Sequence, residues 1–158
     1  MKIYVLEREQ LVRAPEGAVF DFFADAGNLE TITPPWLGFT FVTPLPIEMK
    51  LDARIEYRLK LAGIPLRWRT RITSWQPGRG FVDEQERGPY ALWEHTHRFE
   101  VTDRGVWVSD RVRYALPFGP LGRIAHALAV HSALHRIFDF RFQRTRELLE
   151  EATPTEAP

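Results

Sequence analysis

The sequence predicts an α+β domain in which a curved antiparallel sheet of about seven strands, with two short helices, is closed by a long C-terminal helix over a cavity. Three observations support this fold class. Residues 51–116 alternate between apolar and polar side chains and are interrupted by Gly and Pro turns, as in consecutive β-hairpins. Residues 15–32 form short apolar stretches bounded by prolines. Residues 121–150 contain neither Gly nor Pro apart from Gly122, which favours one helix about 45 Å long.

The elements follow one another in a clear order. Residues 2–13 are rich in β-branched and apolar side chains and predict a first strand. Pro15 opens a short helix over residues 15–24, and a second short helix over 25–32 ends at consecutive prolines. A short strand is expected over residues 39–43. The longer strands are expected over residues 51–62, 66–75, 81–87, 91–101 and 106–116.

Length and composition restrict the classes of protein. The 158 residues fit one domain, which we expect over residues 1–151, followed by a polar, disordered tail over 152–158. Because 21 basic residues balance 21 acidic ones, the chain has no overall field that favours nucleic acid or an anionic membrane. The absence of Cys excludes disulfides and thiolate metal sites. The charged N-terminus resembles neither a signal peptide nor a membrane span, so we expect a cytoplasmic protein without an integral membrane partner.

The inner face of the predicted sheet carries more polar groups than a simple core requires. Alternation places large aromatic side chains inside, and it places His95, His97 and Asp110 on the same face. Asp83 and Gln85 join them if Phe81 points inward. A satisfied structural polar group is the commoner explanation for any one of these residues, but their clustering favours a partly polar pocket.

The C-terminal helix predicts a second wall of this pocket. Ile124, Leu128, His131, His135, Phe138 and Phe142 share one stripe at helical spacing. The i, i+4 spacing of His131 and His135 suits a metal, but no H-E-x-x-H motif accompanies it, so we expect neither a metal nor a cofactor. The opposite side of the helix is also apolar, and another element or a second subunit is expected to cover it, which makes a homodimer an open alternative.

The turn at residues 103–105 predicts the register of the last hairpin. If Glu100 faces Trp107, paired residue numbers have a constant sum of 207. Glu94 then faces Arg113, His97 faces Asp110, and apolar residues face each other. We therefore expect the His97 and Asp110 side chains to be in contact.

The order of elements and a set of short motifs resemble the helix-grip fold of the START-like, or SRPBCC, superfamily. The resemblance covers nearly the whole chain and is closest to its cyclase/dehydrase-like ligand-binding group. The motifs are Phe22-Phe23-Ala24-Asp25, Thr33-Pro34-Pro35, Gly88-Pro89-Tyr90, Trp93-Glu94-His95-Thr96-His97-Arg98-Phe99, Asp110-Arg111-Val112, Leu116-Pro117 and Phe138-Asp139-Phe140-Arg141. The resemblance implies a deep cavity that relatives use for lipids, sterols, polyketides and hormones, usually by binding. Some relatives catalyse aromatic cyclisation or dehydration, and the fold alone does not choose between these activities.

Three functions follow as expectations. The first is the binding of a small hydrophobic or amphipathic molecule between aromatic walls. The second is a cofactor-independent cyclase or dehydratase in which His97 and Asp110 perform acid/base work. The third is a protein-interaction module that uses the outer side of the long helix. The expected ligand-binding residues are Tyr57, Trp68, Thr70, Asp83, Gln85, Trp93, His95, His97, Asp110, Tyr114, Leu128, His131, His135 and Phe138.

Overall fold

The structure is a computed structural model that describes residues 1–151, so the expected tail over 152–158 lies outside the described residues. Seven antiparallel strands form one curved sheet in the order β1-β7-β6-β5-β4-β3-β2. This sheet and the long C-terminal helix confirm the predicted α+β helix-grip architecture. The strands are β1 (Tyr4–Val12), β2 (Thr40–Phe41), β3 (Arg54–Leu61), β4 (Ile64–Gln76), β5 (Gly80–Arg87), β6 (Leu92–Thr102) and β7 (Gly105–Ala115).

The register between β6 and β7 is the predicted one. Glu100 faces Trp107, His97 faces Asp110, and all paired residue numbers along this hairpin sum to 207. The next pair of strands, β5 and β6, places Asp83 opposite His95. Three neighbouring strands therefore bring these acidic and histidine side chains to one patch of the concave face, because residues in register on adjacent strands point the same way.

Short elements close one end of the sheet. Helix α1 (Glu16–Ala24) begins directly after Pro15, whose fixed φ suits a helix start. The predicted second helix is only a 3-10 turn over Ala26–Leu29, which is stabilised where the Asp25 side chain accepts a hydrogen bond from the Gly27 backbone. A further 3-10 turn spans Pro35–Leu37. The apolar core at this end packs α1 against Phe99, Val106 and Leu149.

The long C-terminal helix changes its winding partway along. It consists of α2 (Gly119–Ala125), a π-helical turn over His126–Val130, and α3 (His131–Glu151). No helix in the described part of the chain is long and apolar enough to span a membrane.

The inward stripe predicted for this helix is wrong in its first half. Leu128 is 80% exposed and Ile124 is 56% exposed, while His126, outside the predicted stripe, is buried. The π turn accounts for part of this difference, because its i→i+5 hydrogen bonds turn each residue by less than the 100° of an α-helix. In α3 the buried positions are Leu134, Phe138, Thr145 and Leu149. This inner stripe includes a polar residue, which an apolar pattern does not select.

Candidate functional site

A cavity of about 180 Å³ lies between the concave face of the sheet and α3. Its wall is mainly apolar and contains residues from α1, the 3-10 turns, β3 to β6 and α3. Ligand sites usually measure about 300–1,000 Å³. The cavity is smaller because large aromatic side chains project into it from several strands.

The aromatic wall is built from contacts between neighbouring strands. The Trp68 and Trp93 rings meet edge to face, with centroids 5.3 Å apart, and Tyr57 stacks on Trp68 at 6.1 Å. Tyr90 packs against both tryptophans at 5.7 and 4.8 Å. On the helix side, Phe138 lines the same cavity. Such tilted and offset arrangements are the favoured ones for aromatic rings and hold the wall in place.

The polar part of the wall is a cluster of two histidines and two aspartates. His95 Nε2 lies 2.6 Å from Asp110 Oδ1, and His97 Nε2 lies 2.7 Å from Asp83 Oδ2. His97 Nδ1 also lies 3.2 Å from Asp110 Oδ1, so one carboxylate oxygen contacts both imidazoles. The Thr70 hydroxyl donates to Asp83 Oδ1 at 3.2 Å. We call Asp83, His95, His97 and Asp110 the His–Asp cluster.

Burial and the hydrogen bonds within the cluster act in opposite directions. Burial penalises the charged form of His97, but the bonds to Asp110 and Asp83 outweigh it and raise the pKa of His97. Burial lowers the pKa of His95, and the nearby His97 lowers it further. Burial disfavours the Asp110 carboxylate, yet its imidazole partners hold the pKa of Asp110 well below the usual range. The contacts within the cluster therefore favour the ionised form of Asp110 and oppose the effect of burial on His97.

Two donors at the cavity have no acceptor among the described residues. Arg141 and Trp68 both line the cavity, and Arg141 Nε and Trp68 Nε1 are buried without a hydrogen-bond partner. The Arg141 guanidinium lies 5.8 Å from the centre of the Phe23 ring. Burial disfavours the Asp83 carboxylate, but His97 and His95, with a smaller contribution from Arg141, lower the pKa of Asp83. Sequence reasoning missed Arg141 as a site residue, because a charged side chain does not belong to an apolar stripe. The only signal was its place in the Phe138–Arg141 motif.

The structure brings eight of the expected residues to the cavity wall. They are Tyr57, Trp68, Thr70, Asp83, Trp93, His95, His97 and Phe138. Asp110 lies behind the two histidines, is 2% exposed, and contacts them rather than the cavity.

The remaining expected residues lie elsewhere. Leu128 and His131 are exposed and lie outside the cavity wall, which corrects their assignment to the pocket. His135 is half-buried and receives a hydrogen bond from Arg8 at 2.7 Å. Tyr114 is buried but bonds His126 at 2.8 Å, and the Gln85 side chain bonds the Tyr90 backbone. These partners explain why the side chains turn away from the cavity.

Known proteins share this architecture. The protein TTHA0849 of Thermus thermophilus aligns with a TM-score of 0.70 and 18% identity over 96% of this chain and all of its own. Ara h 8.0201 aligns with a TM-score of 0.67 and 12% identity over 95% of this chain and 99% of its own. The Zhui aromatase/cyclase of a Streptomyces species aligns with a TM-score of 0.66 and 15% identity over 93% of this chain and 96% of its own. At these identities the likeness shows the fold alone.

The sequence itself carries the family assignment. No curated protein matches the chain at a significant level. Residues 12–138, however, match the family described as polyketide cyclase / dehydrase and lipid transport. This match spans most of the chain and agrees with the sheet, the long helix and the cavity between them. The chain therefore belongs to the polyketide cyclase/dehydrase and lipid transport family of the SRPBCC superfamily.

Proposed function

We propose that the protein binds a small, mainly aromatic or alicyclic molecule that carries a carbonyl or carboxylate oxygen. The observation that carries this proposal is the pair of buried donors, Arg141 Nε and Trp68 Nε1, at the wall of an aromatic cavity. A buried donor without an acceptor costs roughly 1–3 kcal/mol, and more when it is charged. A ligand oxygen that accepts from these groups removes that cost.

The remainder of the wall matches the apolar body of such a ligand. Tyr57, Trp93 and Phe138 offer flat apolar surfaces at the cavity. Ligand pockets of this type combine apolar walls with a few polar groups that fix the ligand's orientation. We place the ligand's oxygen toward Arg141 and its rings against the wall that Trp68 and Trp93 form together.

Two neutral ligands of similar size, which differ in one carbonyl oxygen, test the proposal. 2-Acetonaphthone carries a carbonyl oxygen that 2-ethylnaphthalene lacks. The difference between their binding free energies therefore reports the contribution of a hydrogen bond to that oxygen. Because bonds to charged donors contribute about 1.5–3 kcal/mol, we expect the ketone to bind about 10- to 100-fold more tightly, measured by quenching of tryptophan fluorescence.

An arginine variant and a matched control locate the bond. Arg141→Met should reduce the ketone's advantage to about twofold, since the main charged donor is lost. Arg123→Met changes an exposed arginine of the same long helix and should leave both affinities unchanged. Equal affinity for the two ligands in the unaltered protein, or a full ketone advantage in Arg141→Met, would contradict the proposal.

The His–Asp cluster favours a second candidate function, a cyclase or dehydratase. His97 and Asp83 line the cavity and contact each other at 2.7 Å, so proton donors and acceptors stand beside a bound ligand. Turnover of a poly-β-ketone thioester analogue, followed by mass spectrometry and lost in His97→Gln, would support catalysis. Release of the analogue unchanged would support binding alone.

A further inference from the structure

Three side chains of the His–Asp cluster converge as metal ligands do. Asp83, His95 and His97 each offer one ligand atom, and these atoms lie within 4.8 Å of one another. Asp83 Oδ2 lies 2.7 Å from His97 Nε2 and 3.8 Å from His95 Nδ1. Ligand atoms about 2.1 Å from a common ion are about 3.0–3.4 Å apart at octahedral to tetrahedral angles. Small rotations of the imidazoles therefore place the three atoms around one ion.

The groups behind these ligands hold them in the required orientation. The other ring nitrogens, His95 Nε2 and His97 Nδ1, face Asp110 Oδ1 at 2.6 and 3.2 Å. When each of these nitrogens carries a proton toward Asp110, the remaining nitrogen turns its lone pair toward Asp83. The Thr70 hydroxyl meanwhile donates to Asp83 Oδ1, while Oδ2 faces His97 Nε2, where a bound ion takes the place of the shared proton. Ligand histidines and carboxylates in metal sites are oriented by such partners.

The open side of the cluster faces the cavity. Asp83, His95 and His97 all line it, whereas Asp110 stands behind them. Three protein ligands with further positions open to a pocket are typical of catalytic zinc sites and of non-haem iron sites with two histidines and one carboxylate. Two imidazole ligands favour such a transition metal over Mg²⁺ or Ca²⁺, which prefer oxygen ligands.

We infer that Asp83, His95 and His97 bind one divalent transition-metal ion, of the class of Zn²⁺ or Fe²⁺, with Asp110 and Thr70 as positioning residues. The ion occupies the space between the two imidazoles and the Asp83 carboxylate and keeps coordination positions open to the cavity. This inference goes beyond the proposed function, since the metal alone suffices to test it and no organic ligand is required.

Cobalt provides a visible probe of the site. We expect the full-length protein, after treatment with a chelator, to bind one equivalent of Co²⁺ and to show the d–d absorption bands of the bound ion. Added Zn²⁺ should displace the Co²⁺ and abolish these bands, whereas added Mg²⁺ should not. Asp83→Asn and His95→Gln should lose this binding. Asp110→Asn should weaken it about 10- to 100-fold, as loss of an orienting partner does in other metal sites. Circular dichroism of each variant checks its folding.

A second histidine pair supplies the matched control. His131 and His135 have i, i+4 spacing, their ring centroids are 4.3 Å apart, and neither lines the cavity. The double variant His131→Gln/His135→Gln should bind Co²⁺ as the unaltered protein does. Absence of stoichiometric binding, or binding that this control abolishes, would overturn the inference.

A measurement on the unaltered protein tests the metal site without depending on whether a variant folds. Imidazole proton signals of His95 and His97 should shift strongly when paramagnetic Co²⁺ is added, because these rings hold the ion. Shifts confined to His131 and His135 would show a surface site instead, and the inference would fail.

Discussion

At the scale of single residues, Asp110 links the two histidines of the cavity wall. Its Oδ1 contacts both imidazoles, and the residue is 2% exposed. A buried carboxylate is tolerated only with partners that compensate its charge, and removal of one member leaves the others uncompensated. The stability of the sheet's centre therefore depends on this polar side chain as well as on its apolar neighbours.

Asp110→Asn tests this dependence. We expect a loss of about 3–5 kcal/mol in the free energy of unfolding, because a buried charge pair loses one partner. Asp139→Asn makes the same chemical change at an exposed aspartate paired with Arg8 and should cost about 0–1 kcal/mol. Urea denaturation measures both values. Equal losses in the two variants would show that the cluster has no special role in stability.

His126 provides a residue-scale prediction for pH dependence. Its imidazole is buried and bonds the Tyr114 hydroxyl at 2.8 Å. Burial lowers the pKa of His126, and the nearby His131 and Lys2 lower it further. A lowered pKa means that the unfolded chain binds the proton more readily. The stability contribution is therefore complete above the unfolded value of about 6.5 and is lost as the pH falls through the folded value.

The corresponding experiment compares stability at two pH values. Between about pH 7.5 and about pH 5, the unaltered protein should lose more unfolding free energy than His126→Gln, which has no imidazole to protonate. The exposed Arg123 of the same helix supplies the control, since Arg123→Met leaves the His126 imidazole in place and should retain the pH dependence of the unaltered protein. Identical pH profiles for His126→Gln and the unaltered protein would contradict the assignment.

At the scale of elements, the C-terminal helix has one position where close approach requires glycine. A Cβ at Gly122 would lie 2.2 Å from the Pro117 carbonyl oxygen and 3.1 Å from the Leu116 Cβ. The Gly122 backbone therefore lies close against the chain that leaves β7. The π turn that follows then sets which residues face the sheet.

Gly122→Ala should therefore destabilise the protein, although alanine favours helices. We expect a loss of about 1–3 kcal/mol from the steric conflict. Gly17→Ala in α1 is the matched control, since nothing lies within 4 Å of its Cβ position, and it should gain up to about 1 kcal/mol. Thermal unfolding of the two variants shows whether their effects have opposite signs, and a stabilised Gly122→Ala would refute the close contact.

At the scale of the whole molecule, two apolar regions flank the cavity. One joins α1 to Phe99, Val106 and Leu149, and the other joins Leu134 and Phe138 to β1 and β7. Residues that belong only to a core should affect stability, whereas residues on the cavity wall should affect ligand binding more. The half-buried Trp93 lies on the wall, and Phe99 lies in the core away from it.

Two truncations separate these roles. Phe99→Ala should cost about 3–5 kcal/mol of unfolding free energy and leave the affinity for 2-acetonaphthone nearly unchanged in the folded fraction. Trp93→Ala should cost less stability, because its side chain already lacks packing on the cavity side, and should weaken the ligand more. Urea denaturation and fluorescence titration measure the two quantities. A larger stability loss and a smaller affinity loss in Trp93→Ala would identify Trp93 as a core residue.

The sequence by itself determined the sheet, its last register and most of its inward residues. Strand alternation has a period of two, so a turn at residues 103–105 is enough to place His97 opposite Asp110. The motifs shared with the family then predicted the order of the elements over the whole chain. Asp83 could be expected on the inner face only if Phe81, two residues earlier on the same strand, also points inward. In the structure both residues line the cavity.

The tertiary structure alone decided the rest of the site. Leu128 lies within the π turn, whose residues each turn by less than the 100° of an α-helix, and its side chain is exposed. Arg141 became a site residue because α3 crosses the concave face at that point, which no periodicity of apolar residues reveals. The shared contact of Asp110 with both histidines, and the meeting of Asp83 with them, depend on strand curvature and side-chain rotamers. Local patterns specify which face a residue occupies, whereas distances between elements follow only from how the whole chain packs.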